Sequence, residues 1–391
     1  MGIGSPLSRV SSLGRPGSAT STLARRADIA WELGARGTRR YLDDKRKARI
    51  WAPAARRDLY ADIWTEAAKG NDAGYATMGN DFTVLERGGC RIVAWFHHVQ
   101  LDDAVTLKLA LDKELVHRLL IEADVAVPEY VVFSPADPAA ASRFLEDADR
   151  PCVLKPASGT AGGSGVTCAI DSSADLRRAV AHAARFGDLM IERSVSGREY
   201  RLLFLDGELL DVIGRRPPHV VGDGRSSVAE LVSQANAQRA ADAPRSGIAY
   251  LDTDLDCLLT LDMAGLSLRS VLPAGVTVQL KSAANRNGPG DNETIDRDQV
   301  SDALIAEARR AVVATGLRFA GVDLITPDLS RPLSEAGGAV IEVNGTPGLH
   351  YHYLVADPDR ATPVAVPLLR TLLEEADLRE RRMPRISRTD G

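Results

Sequence analysis

Three oxygen-bearing side chains in the C-terminal third stand at strand spacing. Glu342 and Asn344 lie in Ala339-Val340-Ile341-Glu342-Val343-Asn344, and Asp323 lies in Gly321-Val322-Asp323-Leu324-Ile325. Side chains two apart on a strand share a face, so Glu342 and Asn344 point one way while Ile341 and Val343 face the core. The linker holds Pro327, Pro332 and Gly337-Gly338 and is compatible with an antiparallel pair, which sets Asp323 opposite the other two. Two carboxylates and one amide are hard oxygen donors of the kind Mg²⁺ or Mn²⁺ takes. Taken alone, the trio reads first as the solvated face of an amphipathic hairpin.

Other features change that balance. Asn344-Gly345-Thr346-Pro347-Gly348 follows the strand at once, a tight turn whose backbone N–H groups can face a ligand. Upstream, the apolar strand Cys152-Val153-Leu154-Lys155 runs into Pro156 and the loop Ser158-Gly159-Thr160-Ala161-Gly162-Gly163-Ser164-Gly165. Such a loop can bring backbone amides against phosphate oxygens, with the lysine as point charge. It lacks P-loop spacing, which rules that loop out, and it lacks the dinucleotide-binding fingerprint, so a Rossmann site is not expected. Finally, Ile191-Glu192-Arg193-Ser194-Val195-Ser196-Gly197-Arg198-Glu199-Tyr200 carries carboxylates on either side of a glycine. Glu192 closes a strand, as an adenine-edge ligand in a hinge would, and Glu199 is placed to reach ribose hydroxyls.

The elements around these residues are legible from periodicity and turns. A helix from Asp112 to about Asp124 carries Leu115, Leu119 and Leu120 on one face, and Asp175–Phe186 reads as a second helix. Leu189–Glu192 is a strand. Tyr200–Leu205 pairs with Glu208–Ile213 across Asp206-Gly207, and Phe82–Glu86 pairs with Arg91–Trp95 across Gly88-Gly89. A helix over Asp298–Thr315 places Val300, Leu304, Ala308, Ala311 and Val312 on one stripe and ends at Gly316. Irregular alternation with hairpins predicts an α+β fold rather than a doubly wound sheet. The organisation expected is a flexible arm over 1–25, an N-terminal domain over 26–105 tied to the substrate, lobes over 106–190 and 191–375, and a flexible basic tail over 376–391.

Composition narrows the function classes. The formal net charge of −5 over 391 residues gives no global grip on nucleic acid or anionic membrane, so neither is an expected partner. No apolar run is long enough to span a bilayer. The start Met1-Gly2-Ile3-Gly4-Ser5-Pro6 departs from a myristoylation signal at Pro6, and no apolar signal region follows. Cys90, Cys152, Cys168 and Cys257 are scattered and read as small buried apolar residues in a reducing, cytoplasmic setting. His97-His98 and His350/His352 have no further ligand at zinc spacing.

The order Lys113, Lys155 with its glycine loop, Glu192 and Glu199, Asp323, then Glu342-x-Asn344-x-x-Pro347-Gly348 resembles the ATP-grasp superfamily of carboxylate–amine ligases, over roughly Asp112 to Leu369. Arg215-Arg216-Pro217-Pro218-His219-Val220-Val221-Gly222-Asp223-Gly224, Val228-Ala229-Glu230-Leu231-Val232, Leu272-Pro273-Ala274-Gly275 and Val278–Asn285 are similar to the ATP-grasp module of cyanophycin synthetases and bacterial glutathione-synthesis enzymes. The chain departs from these in Asn287-Gly288-Pro289-Gly290, where they have Ser-Thr-Gly-Gly. It departs from D-alanine–D-alanine ligases at Gly321, where they have Arg, and at Tyr353-Leu354. No Mur-ligase-type domain follows before Gly391, so cyanophycin synthesis is not expected.

The resemblance implies two α+β lobes clasping ATP. It implies adenine held by Glu192 and the backbone near Arg193 and Val195, and ribose by Glu199. Lys113 and Lys155 would bind phosphates under a lid of Gly162, Gly163, Ser164 and Gly165. Asp323, Glu342 and Asn344 would hold two Mg²⁺ (or Mn²⁺) ions. Arg216, Lys281, Asn285 and the Gly348 amide would hold an acyl phosphate and the tetrahedral intermediate, with Arg215 and Arg286 reading equally as surface guanidiniums. His350–Tyr353 either shape the acceptor pocket or pack as an aromatic cluster. Partners implied are small amino acid or peptide substrates and a second copy in a homodimer. A phosphotransferase and an ATP-binding scaffold without turnover are the other readings.

Overall fold

The computed structural model describes residues 52–79, 81–160, 163–241, 250–281 and 291–382, with isolated helical residues at 38, 39, 42 and 46. Helix α1 covers residues 52–69 and leads into an antiparallel meander of β1 (Gly74–Met78), β2 (Phe82–Arg87) and β3 (Cys90–Trp95). The β2–β3 turn places Gly88 and Gly89 at φ 60° and 91°, the left-handed pair that a two-residue hairpin needs. The expected arm over 1–25 lies outside the described residues.

Helices α2 (Ala104–Ala110) and α3 (Lys113–Glu122) follow. The buried face of α3 is Lys113, Val116, His117 and Leu120, at helical spacing i, i+3, i+4, i+7. This corrects the expected leucine face: Leu115 is 37% exposed, and only Leu120 is deeply buried. Next come β4 (Tyr130–Phe133), α4 (Ala139–Glu146), β5 (Cys152–Pro156), β6 (Thr167–Ile170), α5 (Ser173–Ala183) and β7 (Leu189–Arg193). They form a four-stranded sheet in the order β4-β7-β5-β6. Strand β7 runs through residue 190, so the first lobe extends beyond the boundary expected there.

The second half carries β8 (Arg198–Leu205), β9 (Glu208–Arg215), β10 (His219–Val221), α6 (Val228–Ala241), α7 (Leu255–Met263), β11 (Thr277–Gln279) and β12 (Asn292–Thr294). It ends with α8 (Asp302–Thr315), β13 (Phe319–Thr326), α9 (Leu333–Ala336), β14 (Ala339–Gly345), α10 (His350–Tyr353) and α11 (Ala365–Arg382). A five-stranded sheet has the order β12-β9-β8-β13-β14, and β10 pairs with β11 in a small satellite. Every described strand pairing between named strands is antiparallel, which bears out the α+β reading.

Two packing results differ from the expected division. Val116 and Leu120 of α3 share a core with Leu304 and Ala308 of α8 and Val322 of β13, so the start of the 106–190 segment belongs to the five-stranded layer. Helix α11 continues through 376–382, where a flexible tail was expected. Ion pairs at i,i+4, Arg379 to Glu375 at 3.2 Å and Arg381 to Asp377 at 2.8 Å, support its last turns. Among the described residues no helix is long and apolar enough to cross a membrane.

Candidate active site

A cavity of about 320 Å³ opens between the four-stranded and five-stranded sheets. Lys113, Lys155, Gly163, Glu192, Arg193, Val195, Glu199 and Glu342 all line it, so residues spread over most of the chain converge on one space. Backbone register explains the convergence. Strand β5 pairs with β7 so that Val153 faces Glu192 and Lys155 faces Met190, which leaves Lys155 and Glu192 diagonal on one face. The Asp112 side chain caps α3 by accepting from the Leu115 N–H, and the Lys113 N–H donates to the Ala157 carbonyl at 2.9 Å. That bond ties the helix start to the exit of β5.

Each cavity lysine already holds an acid. Lys155 Nζ lies 2.7 Å from Glu192 Oε1 and donates to the Ile341 carbonyl at 3.2 Å. Lys113 Nζ lies 3.3 Å from Glu342 Oε1 and donates to the Thr160 carbonyl at 3.2 Å. Burial pushes the Glu192 carboxyl above its ordinary range, with Lys155 pulling the other way. His117, one turn beyond Lys113, lies with Nδ1 3.5 Å from Glu192 Oε1. Burial, then the charges of Lys155 and Lys113, push its pKa down to about 3, so it is neutral.

Register also assembles the acidic group. Asp323 stands directly opposite Glu342, and Asn344 Nδ2 donates to Asp323 Oδ2 at 3.1 Å and to Glu342 Oε2 at 3.4 Å. A bulge between Asp323 and Leu324 leaves Ile341 without an opposite residue. Val343 is in the core as expected, but Ile341 is not: the bulge turns it into the cavity. Asp323 is gripped by Arg201 through a fork, Nε to Oδ1 and Nη2 to Oδ2 at 2.6 Å each, with Arg215 Nη1 at 3.4 Å. Arg215 also holds Glu199 at 2.6 Å. Burial raises the Asp323 pKa, but the two guanidiniums outweigh it and hold the carboxyl below its usual range.

Several expected residues stand elsewhere. Arg216 is a surface side chain, 59% exposed with Glu293 3.7 Å away, whereas Arg215 is 1% exposed. Arg215 ends β9 with its side chain inward, and Arg216 has passed beyond the strand. Lys281 is bound to Asp254 at 2.6 Å and does not line the cavity. Burial lowers its pKa, but Asp254, Asp252 and Asp256 together raise it. The Arg193 guanidinium turns to Glu129 at 2.7 Å, so only the rest of that residue serves the cavity. Ser164 and Gly165 are half-buried beside the cavity rather than in its wall. Gly348 ends the strand-exit turn, where Thr346 sits at φ 47°, a strained value for a β-branched residue. Gly162, Asn285 and Arg286 lie outside the described residues.

His117 and Arg201 were missed as site residues, while Arg215, read equally as a surface guanidinium, turns out to be buried beside Asp323. Period two from Glu199 along β8 reaches Arg201, and helical period four from Lys113 reaches His117, so both signals were present. His350 and His352 are buried, and the Tyr351 ring lies 5.2 Å from both the Arg201 and the Arg215 guanidinium carbons. All four cysteines are buried and free.

Asp323, Glu342 and Asn344 bring together two carboxylates and one amide, the donor types a hard divalent cation takes; here Asn344 turns Nδ2 to both carboxylates, so to serve as a ligand it must present Oδ1 instead. Among the described residues no group of three His, Cys, Asp or Glu side chains assembles a metal cluster, so the amide is needed to complete the set.

No family model matches the chain. It is 34% identical over 257 residues to cyanophycin synthetase of Trichormus variabilis, covering 63% of this chain and 27% of that one. It is 32% identical over 276 residues to cyanophycin synthetase of Geminocystis herdmanii, covering 69% and 31%. Against the glutathione biosynthesis bifunctional protein GshAB of Pasteurella multocida the figures are 31% over 258 residues, covering 64% and 34%. The chain therefore spans roughly a quarter to a third of the length of these curated relatives. A solved bifunctional glutathione synthetase from Pasteurella multocida aligns at a TM-score of 0.48 and 25% identity, covering 78% of this chain and 41% of that one. The sequence similarity bears out the resemblance that the ordered motifs carry.

Proposed function

We propose that this chain is an ATP-grasp ligase that joins a carboxylate to an amine through an acyl phosphate, releasing ADP and phosphate. The observation that carries the reading is the convergence of Lys113, Lys155, Glu192, Glu199 and Glu342 on one cavity between two sheets. ATP suits this space. Val195 and the backbone beside it offer an edge for adenine, and Lys113 and Lys155 offer charge to the phosphates. Each lysine can exchange an ion pair for a phosphate oxygen, so its charge is placed before ligand arrives.

Asp323, Glu342 and Asn344 are the residues that would hold Mg²⁺ or Mn²⁺, with two ions as the expected number. The metal would supply charge compensation on the phosphates. The protein's own groups must then position and neutralise. The substrate carboxylate attacks the γ-phosphorus and ADP leaves. The amine attacks the acyl carbon, and phosphate departs with the former carboxylate oxygen. Arg201 and Arg215 take the place expected for Arg216, since they lie beside Asp323 rather than at the surface. With the Gly348 amide they are the donors for negative charge developing on the acyl oxygen.

The test is isotopic. With an ¹⁸O-labelled carboxylate substrate, one labelled oxygen is expected in inorganic phosphate for each amide formed. Glu342→Ala is expected to abolish that release while leaving the unfolding transition cooperative. A stable phosphorylated product would indicate a phosphotransferase, and absence of any phosphate release would indicate a scaffold.

A further inference from the structure

Arg56 stands apart from the other guanidiniums of this region. Arg201 and Arg215 are held by Asp323 and Glu199. Arg56, on α1, has no carboxylate partner among the described residues. Its Nη2 meets His97 Nδ1 at 3.1 Å, its guanidinium lies 4.6 Å over the Phe96 ring, and its Nε is buried without a partner. The surroundings are neutral. Burial, then His98, Arg56 and Arg201, push the His97 pKa down to about 3, and burial keeps the neighbouring Tyr60 phenol protonated, bonded to His350 Nδ1 at 2.9 Å. A partly buried cation ringed by uncharged groups, with one donor sealed from water and unsatisfied, is stabilised when an anion joins it.

The position indicates which anion. His97 lies in the field of both Arg56 and Arg201, and His350 continues directly into Tyr351, on which Arg201 and Arg215 stack. No residue of α1 or β1–β3 lines the nucleotide cavity; Arg56 instead reaches the Arg201 and Arg215 pair through the Tyr60 ring, 5.9 Å from its guanidinium, and the His350 and Tyr351 rings, 4.1 Å apart. The planar fork of a guanidinium matches a carboxylate. We infer that Arg56, steadied by Phe96 and His97, docks the free carboxylate of the amine substrate, which is therefore an amino acid or a peptide with an unblocked C-terminus. This rests on the ligase reading for the word amine, but the docking site can be tested without turnover.

The probe is a pool of the twenty L-amino acids and short peptides, beside the same compounds as C-terminal amides. Binding to the full chain loaded with a non-hydrolysable ATP analogue and Mg²⁺ is read by saturation-transfer NMR. Some acids are expected to bind at least about 30-fold more tightly than their amides, the size of loss that follows removal of one partner of a desolvated charge pair. Arg56→Gln should erase that preference, and Arg56→Lys, which keeps charge and most of the stacking stem, should retain part of it. Equal binding of acids and amides to the wild type, binding of neither, or undiminished acid binding to Arg56→Gln would overturn the assignment. If Arg56→Gln does not fold, the wild-type comparison and Arg56→Lys decide. Acid binding through Arg56 without ADP release from any substrate pair would overturn the ligase reading and leave the docking site standing.

Discussion

His117 shows how a single buried side chain links the site to stability. Its folded pKa of about 3 lies below the ordinary 6.5, and His97 behaves in the same way. Between those values the unfolded chain binds protons that the folded chain refuses. Stability from these groups is therefore complete above about pH 6.5 and falls as pH drops towards 3, by up to about 1.4 kcal/mol per pH unit for each histidine. Glu192, whose pKa is pushed up from 4.5, acts in the opposite sense. A variant is therefore needed to isolate the histidine. The urea midpoint is expected to fall between pH 7 and pH 5, and less steeply in His117→Asn. Identical slopes in the two proteins would contradict the neutral, buried imidazole.

At the scale of elements, the link between β7 and β8 carries the hinge side of the cavity, with Val195 before Gly197 and Glu199 after it. Gly197 has φ +130°, and a Cβ there would lie 2.3 Å from the Thr326 carbonyl carbon and 2.5 Å from Pro327 N. Both are backbone atoms and cannot rotate away. Gly197→Ala should thus cost about 2 kcal/mol or more, combining strain with displacement of the β13 end. Nucleotide affinity should weaken with it, because the cavity edge moves. Urea unfolding and a nucleotide titration check both, and unchanged values would show that the link has slack. The bulge at Ile341 is the companion device: one extra residue lets β14 aim Glu342 at Lys113 and offer a carbonyl to Lys155.

For the whole molecule, the two ends of the described chain share one core. Leu368, Leu369, Leu372 and Leu373 of α11 pack with Trp64 of α1, Leu85 and Ile92 of the meander, and Leu203 and Phe319 of the five-stranded sheet. The layer that presents Arg56 therefore depends on residues some 300 positions later. Leu369→Ala should cost about 2–5 kcal/mol through lost burial and an unfilled cavity. The loss should appear in global urea unfolding, with amine-side binding weakened more than nucleotide binding. A midpoint equal to that of the wild type would mean that α11 does not hold this layer.

Much of this architecture was already legible in the amino-acid order. Turn chemistry at Gly88-Gly89 and Asp206-Gly207 marked two hairpins, and period two marked β13, β14 and the shared face of Glu342 and Asn344. These signals are local, because φ preferences and side-chain alternation act over a few residues. The order of their motifs singled out Lys113, Lys155, Glu192 and Glu199, which line one cavity, but not the partners that hold them. Glu192 binds Lys155, and Glu199 binds Arg215. Tertiary structure alone decided that Arg215 turns inward while Arg216 faces solvent and that Lys281 belongs to Asp254, and it chose between the two periodic faces of α3, burying His117 rather than Leu115. Each of those outcomes depends on which distant side chain shares a desolvated space. A charged group removed from water takes the partner that packing brings within reach, and sequence spacing does not encode that distance.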